Sequence, residues 1–489
     1  MLPWKTILHI DKSSDDAVYL QIAKKLIVEI RSGVVQRGTK IPGTRTMAQL
    51  LHLNRQTVVR AYEELYSQGW LTLETGMGTF VSQHLPVLKP SKFTTTDESG
   101  RFAEKTGYKF NIHPHIHPPA SPNRNILGFH DGPDVRLTPV EAISRAYRRV
   151  LQRKSGRHLL SYTEVMGEFN IRFAISEYLN SSRGLHTTYE NILLTRGTQM
   201  ALYLAVDTLI SRGDNVIIAD KSFRYADLVF IHAGANIIRV SVDDDGICVD
   251  DIEDICRKKK VRAIYVTTHH HFPTTVTLSA PRRMNLLRLA SKHGFIIFED
   301  DYDYEFHYES SPILPLASHD HDGMTIYMGS FSKTLSPAMR LGYIAAPVNL
   351  INELGKVRQI VDAQGDPILE QVIAEMLEDG EVKRHMKKSL RIYRERRDFL
   401  CERLNELSDF VHFRTPEGGL SVWAEFNKRI PVPELSDRLK QKGIILSKGL
   451  LHDIGAQKKL NSTRMGFGWM NPVEANKAMD LLKKEIKKI

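Results

Sequence analysis

Thr325-Ile326-Tyr327-Met328-Gly329-Ser330-Phe331-Ser332-Lys333-Thr334-Leu335-Ser336-Pro337 is the stretch on which the reading of this chain turns. The run Thr325 to Met328 has the composition of a buried strand, and Gly329 and Ser330 interrupt it, so Lys333 falls in a loop at the strand's carboxyl end. Between small hydroxyl residues a lysine there can be desolvated enough to attack an aldehyde as the neutral amine, which makes Lys333 a candidate for forming a Schiff base. Standing alone, a Ser-Lys pair describes a solvated loop lysine equally well. The flanking sequence decides between them.

Upstream, Phe295-Ile296-Ile297-Phe298 reads as a second buried strand, which delivers Glu299-Asp300-Asp301-Tyr302 to its carboxyl end. A carboxylate in that position can pair with a pyridinium nitrogen and keep the ring an electron sink; in isolation the cluster reads as a helix cap or a cation site. Earlier still, Thr195-Arg196-Gly197-Thr198-Gln199 leads from a strand into a helix expected over Met200 to Leu209, bringing backbone N–H groups and a hydroxyl to a helix N-terminus suited to phosphate. Arg340, seven residues after Lys333, adds a planar donor fork for the same phosphate. Short β-branched runs at 191–195, 215–219, 237–242, 262–267, 295–299 and 324–328 alternate with amphipathic stretches. That alternation predicts an α/β domain from about 126 to 489 with a mostly parallel sheet, ligands gathering at the strands' carboxyl ends.

The first 84 residues carry a different pattern. Residues 1–90 hold 11 Lys and Arg against 7 Asp and Glu, a concentration of positive charge that tilts this segment toward nucleic acid. A helix is expected from about Ala17 to Arg31, and another after Pro42 and Thr44. After the turn His52-Leu53-Asn54, with Asn54 as a cap, Arg55 to Gln68 repeats apolar residues at Val58, Ala61, Tyr62 and Leu65. The opposite face offers Arg55, Gln56, Thr57 and Arg60, side chains able to reach base edges or phosphates in a major groove. Leu71 to Glu74 and Thr79 to Ser82, joined by Thr75-Gly76-Met77-Gly78, form a hairpin in which glycine lets backbone approach a phosphate. A winged helix results, although helix-turn-helix shapes also serve protein contacts. Between 85 and 125, Pro86, Pro90, Pro114, Pro118, Pro119 and Pro122 break all periodicity, and the segment reads as a linker with a flexible-coil reach of roughly 35 Å.

At 489 residues, 42% hydrophobic and 25% charged, with no apolar run near the ~20 residues a bilayer demands, the chain is expected to need no membrane. Met1 to Asp11 lacks a basic start followed by an apolar stretch, and Cys248, Cys256 and Cys401 form no CxxC pair. A cytoplasmic, reduced, metal-free protein is expected. His269-His270-His271 does not alter this, because neighbours on an extended segment face opposite sides, and His113, His115 and His117 read as solvated linker residues.

Residues 18–83 resemble the GntR-type winged helix-turn-helix, through Tyr19-Leu20-Gln21-Ile22-Ala23, Gly38-Thr39-Lys40-Ile41-Pro42, Thr44-Arg45, Asn54 to Tyr62, Gly69-Trp70-Leu71 and Gly76 to Val81. The resemblance implies operator binding through Thr44, Arg45, Arg55, Gln56 and Thr57, with Gly76 at the wing. The remainder resembles aminotransferases of fold type I, and the combination resembles the MocR/GabR family of bacterial regulators. Further matches are Tyr162 to Gly167, Arg172, Tyr178-Leu179, Glu299 to Phe306 and Arg340-Leu341-Gly342-Tyr343. On that resemblance Lys333 would hold pyridoxal 5'-phosphate, Asp300 would pair with the ring nitrogen and Tyr302 with the ring hydroxyl. Gly197, Thr198, Ser330, Ser332 and Arg340 would surround the phosphate, Phe223 would stack on the ring, and Arg464 would clamp an amino-acid carboxylate. Phe223 stands where the family has tyrosine and Thr275 where it has glycine, so one polar contact is lost and that loop is expected to be reshaped. The implied function is a cofactor-dependent regulator that binds double-stranded DNA as a homodimer and senses an amino compound or the cofactor. The alternative is a working aminotransferase.

Overall fold

The computed structural model describes residues 2–11, 13–85, 105–112, 116, 127–308, 313–449 and 460–489, and the chain divides into two units, Met1–Ile112 and His113–Ile489. Most of the expected linker at 85–125 lies outside the described residues, as do His113, His115 and His117.

In the first unit, α1 (Trp4–Ile7), α2 (Val18–Arg31), α3 (Thr44–Leu51) and α4 (Arg55–Ser67) accompany β1 (Lys40–Ile41), β2 (Leu71–Glu74) and β3 (Gly78–Val81). The strands form an antiparallel sheet in the order β1-β3-β2. Apolar residues at helical spacing from each long helix meet in one core, with Ile22 and Leu26 of α2, Met47 of α3 and Val58, Tyr62 and Leu65 of α4 all fully or almost fully buried. Between α3 and α4, His52 takes a left-handed φ of 51°, which turns the chain so that α4 starts at Asn54. The Asn54 side chain accepts from the Gln56 N–H at 2.9 Å, satisfying one of the donors a helix start leaves free. Asn54→Ala is expected to cost the unit about 1 kcal/mol, measured by chemical denaturation of the full chain.

The second unit begins with β4 (Leu127–Gly128) and is built on β5 (Ile192–Thr195), β6 (Asn215–Ala219), β7 (Asn236–Val240), the small hairpin β8 (Val242–Asp243) and β9 (Gly246–Ile247), β10 (Ala263–Val266), β11 (Ile296–Asp301), β12 (Thr325–Ser330) and β13 (Gly342–Ala345). Seven strands form the main sheet in the order β5-β13-β12-β11-β10-β6-β7, parallel except for β13, which runs against both neighbours. Sequence periodicity misses β13. Both faces are covered: Ile218, Tyr265 and Phe298 pack into one apolar cluster, while their chain neighbours Ile217, Ile264 and Ile297 pack into another. Hence these strands read as continuous apolar runs. Two strands continue further than expected, β11 to Asp301 and β12 to Ser330. A smaller antiparallel sheet follows, β14 (Val411–Phe413), β15 (Ser421–Phe426) and β17 (Ser462–Gly466), while β16 (Ile444–Ile445) pairs with β4 in parallel. The β4–β16 pair fixes the entry of the segment 129–134, which runs across β17: Gly466 N–H donates to Phe129 O at 3.2 Å.

Candidate functional site

In the first unit, Arg55 and Gln56 are exposed and Thr57 half-buried at the start of α4, with Arg45 exposed on α3 and Thr44 half-buried as the first residue of that helix. These side chains project at the two helix starts that a helix-turn-helix offers to a groove. Arg60, one turn further along α4, is exposed, and its guanidinium lies 4.5 Å from the Tyr19 ring centre, a cation–π contact that gives it an internal partner. At the hairpin tip Gly76 has φ of 77° and nothing within 4 Å of where a Cβ would stand, an open wing.

In the second unit the carboxyl ends of β5, β11 and β12 converge. Lys333, in the loop after β12, has an 18% exposed side chain and lies with Nζ 4.8 Å from the centre of the Tyr302 ring. Its Nζ donates to Asp131 Oδ1 at 3.1 Å. Arg464, on β17, reaches the same carboxylate, with Nε 3.1 Å from Asp131 Oδ2 and Nη2 donating to Oδ1 at 3.3 Å. Nη2 also reaches Tyr302 Oη at 3.3 Å, Nη1 donates to Pro273 O at 3.1 Å, and the guanidinium stacks 4.6 Å from the Phe272 ring centre. Phe272 in turn meets Phe223 edge to face, 5.2 Å between centres. Lys333, Tyr302, Arg464 and Phe223 are thus one connected set. Asp131 joins them from the segment after β4, and sequence reasoning does not single it out; the turn residues Gly132-Pro133 beside it are its only local signal. The Arg464 fork thus already meets a carboxylate of the chain itself, that of Asp131.

Asp300 is buried within β11. Tyr265 Oη donates to its Oδ2 at 2.8 Å, while Oδ1 is buried with no hydrogen-bond partner. Burial, with Asp301 and Asp303 close by, pushes the carboxyl up to about 7 despite the Tyr265 bond and the charge of Lys333. Its neighbours serve the fold. Glu299 accepts from Thr268 Oγ1 at 2.6 Å and from the Leu316 and Ala317 N–H groups, tying down that loop. Asp301 lies 3.1 Å from His269 Nδ1 and accepts from Tyr327 Oη; against its burial, His269 and Arg183 hold it well below the usual carboxylate range. His270 Nδ1 lies 2.9 Å from Asp303 Oδ1. Burial keeps the His271 ring neutral, its pKa lowered to about 3. Each of the three consecutive histidines has a separate partner, and no group of His, Cys, Asp or Glu among the described residues is arranged to hold a metal.

The glycine-lined end of the site is close-packed backbone. Gly197, with φ of 80°, starts the helix Thr198–Leu209, and a Cβ there would stand 2.9 Å from Arg340 Nη2. Arg340 has φ of 51° and donates to Arg196 O at 2.7 Å, crossing over that helix start. Gly342 sits against Gly197, where a Cβ would come within 2.7 Å of its Cα, and is the register partner of Ser330. Ser330 Oγ donates to Ser332 Oγ at 2.9 Å and accepts from the Ser332 N–H. The cradle therefore combines N–H groups at a helix start, hydroxyls and a guanidinium, a donor set for a dianionic phosphate. Thr275, where the family has glycine, takes φ of 66°, a conformation that favours glycine, and donates its N–H to His271 O.

Residues 131–464 match the aminotransferase class I and II family, and residues 18–81 match the gntR family of bacterial regulatory proteins. Over 98% of this chain and 95% of the relative, the sequence is 27% identical to the probable rhizopine catabolism regulatory protein MocR of Rhizobium meliloti. It is 26% identical to the transcriptional regulator TauR of Rhodobacter capsulatus, over 92% of each chain. Among solved structures, a multiple substrate aminotransferase from Thermococcus profundus is similar over 75% of this chain and 93% of its own, with a TM-score of 0.69 at 25% identity.

Proposed function

Because this chain belongs to the aminotransferase class I and II family and carries a gntR-family regulatory domain ahead of that region, we propose that it is a transcriptional regulator. It reads double-stranded DNA with its first unit and senses an amino compound, or pyridoxal 5'-phosphate itself, with its second. The observation that carries this reading is the presence in one chain of an exposed Arg55-Gln56 helix start and of the Lys333–Asp300 site. A metabolic aminotransferase has no use for the former.

The residues present fit the cofactor. Asp300 has one buried oxygen without a partner, the position in which a protonated ring nitrogen would be satisfied. Gly197 and Gly342 let Arg340 and the start of β13 close in on the helix N-terminus, where a Cβ on either would collide. Lys333 would hold the cofactor covalently, Asp300 its ring nitrogen, Tyr302 its ring hydroxyl, Phe223 its ring face, and Gly197, Thr198, Ser330, Ser332 and Arg340 its phosphate. When bound, pyridoxal phosphate supplies a carbonyl carbon that condenses with primary amines and a ring that withdraws electrons. The chain's own part is to hold Lys333 at the carboxyl end of β12, with Tyr302 beneath it, and to place Arg464 and Asp131 beside its amine. A ligand changes DNA binding only through a difference in its affinity for conformations that bind DNA differently; in the homodimer that the resemblance implies, the ligand would bias those states.

The direct test of the DNA-reading half is footprinting on a site selected from a random pool. Arg55→Ala in the full chain is expected to weaken the selected site by about 1–3 kcal/mol and to relax preference at one base pair, as loss of a base contact does. Loss of affinity for all sequences alike would assign Arg55 to phosphate, and an unchanged footprint would remove α4 from the groove.

A further inference from the structure

Asp131 is built into the ligand site rather than lying on its rim. Its carboxylate receives Ser421 Oγ at 2.9 Å, Lys333 Nζ at 3.1 Å and Arg464 Nη2 at 3.3 Å, and its side chain is 23% exposed. Ser421, on β15, is fully buried, and Arg464 is 3% exposed, so two of the three groups that fix the carboxylate sit on the rigid small sheet. The segment carrying Asp131 is pressed onto β17, since a Cβ on Gly466 would collide with His130 O. Burial alone would raise this carboxyl; the charges of Arg464 and Lys333 outweigh it and hold it well below the usual range, so it is ionised throughout the physiological range. All three guanidinium nitrogens of Arg464 are within 3.3 Å of an oxygen of the chain itself.

A ligand whose carboxylate sought Arg464 would meet a resident carboxylate on the same fork. Displacing it would cost a half-buried carboxylate its contacts with the guanidinium, and sharing the fork would juxtapose two like charges. A ligand ammonium approaching Lys333 meets an attractive partner instead. We propose that Asp131 is a specificity-determining residue: it takes, from within the chain, the place of a ligand carboxylate at Arg464, so that the site selects primary amines without a carboxylate on the amine-bearing carbon over α-amino acids. The proposal deepens the sensor reading above and rests on it.

The test uses the full-length, cofactor-loaded protein and two matched pairs that differ only by that carboxylate, ethylamine against alanine and 2-phenylethylamine against phenylalanine. Dissociation constants are read from the change in the cofactor absorption band at equilibrium, not from turnover. In the wild type each amine is expected to bind at least about tenfold more tightly than its amino acid, the scale of one unfavourable charge contact. Asp131→Asn and Asp131→Ala are expected to move the amine-to-amino-acid ratio toward the amino acid by about tenfold or more. A merely structural role for Asp131 would weaken both members of a pair together. Equal or tighter binding of the amino acids by the wild type would overturn the proposal even if neither variant folds, as would an unchanged ratio in variants that keep the cofactor band. If no member of either pair perturbs the band, the amine-sensor reading fails first and the proposal with it.

Discussion

Lys333→Ala is expected to abolish covalent retention of pyridoxal phosphate. The wild-type protein should be yellow, and borohydride should trap the cofactor on a peptide containing Lys333; the variant should lose the wild-type band and give no trapped peptide, any cofactor it retains absorbing as the free aldehyde. The effect is all or none because a covalent bond is removed, while the cradle at Gly197, Ser330 and Arg340 stays intact and should still retain the phosphorylated cofactor weakly. Asp131 keeps its contacts with Arg464 and Ser421 in the variant, so the site is not left with an unpaired carboxylate. The same band and the same trapped peptide mass in Lys333→Ala would put the attachment on another lysine.

Asp300→Asn should act in opposite directions on the empty and the loaded protein. The Asp300 carboxyl is raised from 3.8 to about 7, mainly by burial. A carboxyl raised on folding contributes its full stability below the unfolded value and loses it as pH rises through the folded one, so in the cofactor-free protein Asp300 becomes a liability between about pH 4 and 7. The asparagine variant has no such titration and keeps an acceptor for Tyr265. Cofactor-free Asp300→Asn is therefore expected to gain about 1–4 kcal/mol over the wild type at pH 8 and little at pH 4, measured by denaturant unfolding at both pH values. With cofactor the order reverses: the neutral amide cannot neutralise a protonated ring nitrogen, and retention should fall at least about tenfold. A cofactor-free difference that does not change with pH would show that the carboxyl is not strained by burial. Undiminished retention would remove Asp300 from the ring.

These two residues were legible in the sequence because their signals are local. A lysine three residues beyond a buried strand, and an acidic cluster at the end of another, need only the strand-end rule of parallel sheets. Which carboxylate of Glu299, Asp300 and Asp301 serves the site is less legible, since strand geometry sends neighbours to opposite faces and says nothing of the Leu316 and Ala317 N–H groups that claim Glu299. Asp131 was illegible for a different reason. Its partners Lys333 and Arg464 lie 202 and 333 residues away in the chain, and only the pairing of β4 with β16 brings its segment across β17. Nor does the sequence around Arg464 show that Asp131 lies against its guanidinium. The winged unit was the most readable part, its helix and strand limits shifting by a residue, because capping at Asn54 and the spacing of Val58, Ala61, Tyr62 and Leu65 fix α4 locally. β13, Gly342-Tyr343-Ile344-Ala345, escaped notice because glycine and alanine flank its two large residues and it lacks the β-branched run that marks the other short strands.

Coupling between occupancy of the Lys333 site and DNA affinity is read from the dissociation constant for a selected DNA site, measured with full-length protein in three states: cofactor-free, cofactor-loaded, and loaded with a saturating primary amine. The wild type is expected to change affinity by about 5–150-fold between at least two of these states, the usual range of coupling between distinct sites, and Lys333→Ala should lose the amine response. DNA affinity that is the same in all three states, in a protein that meanwhile transfers amino groups over many turnovers, would contradict the account and leave an aminotransferase with a DNA-binding domain attached.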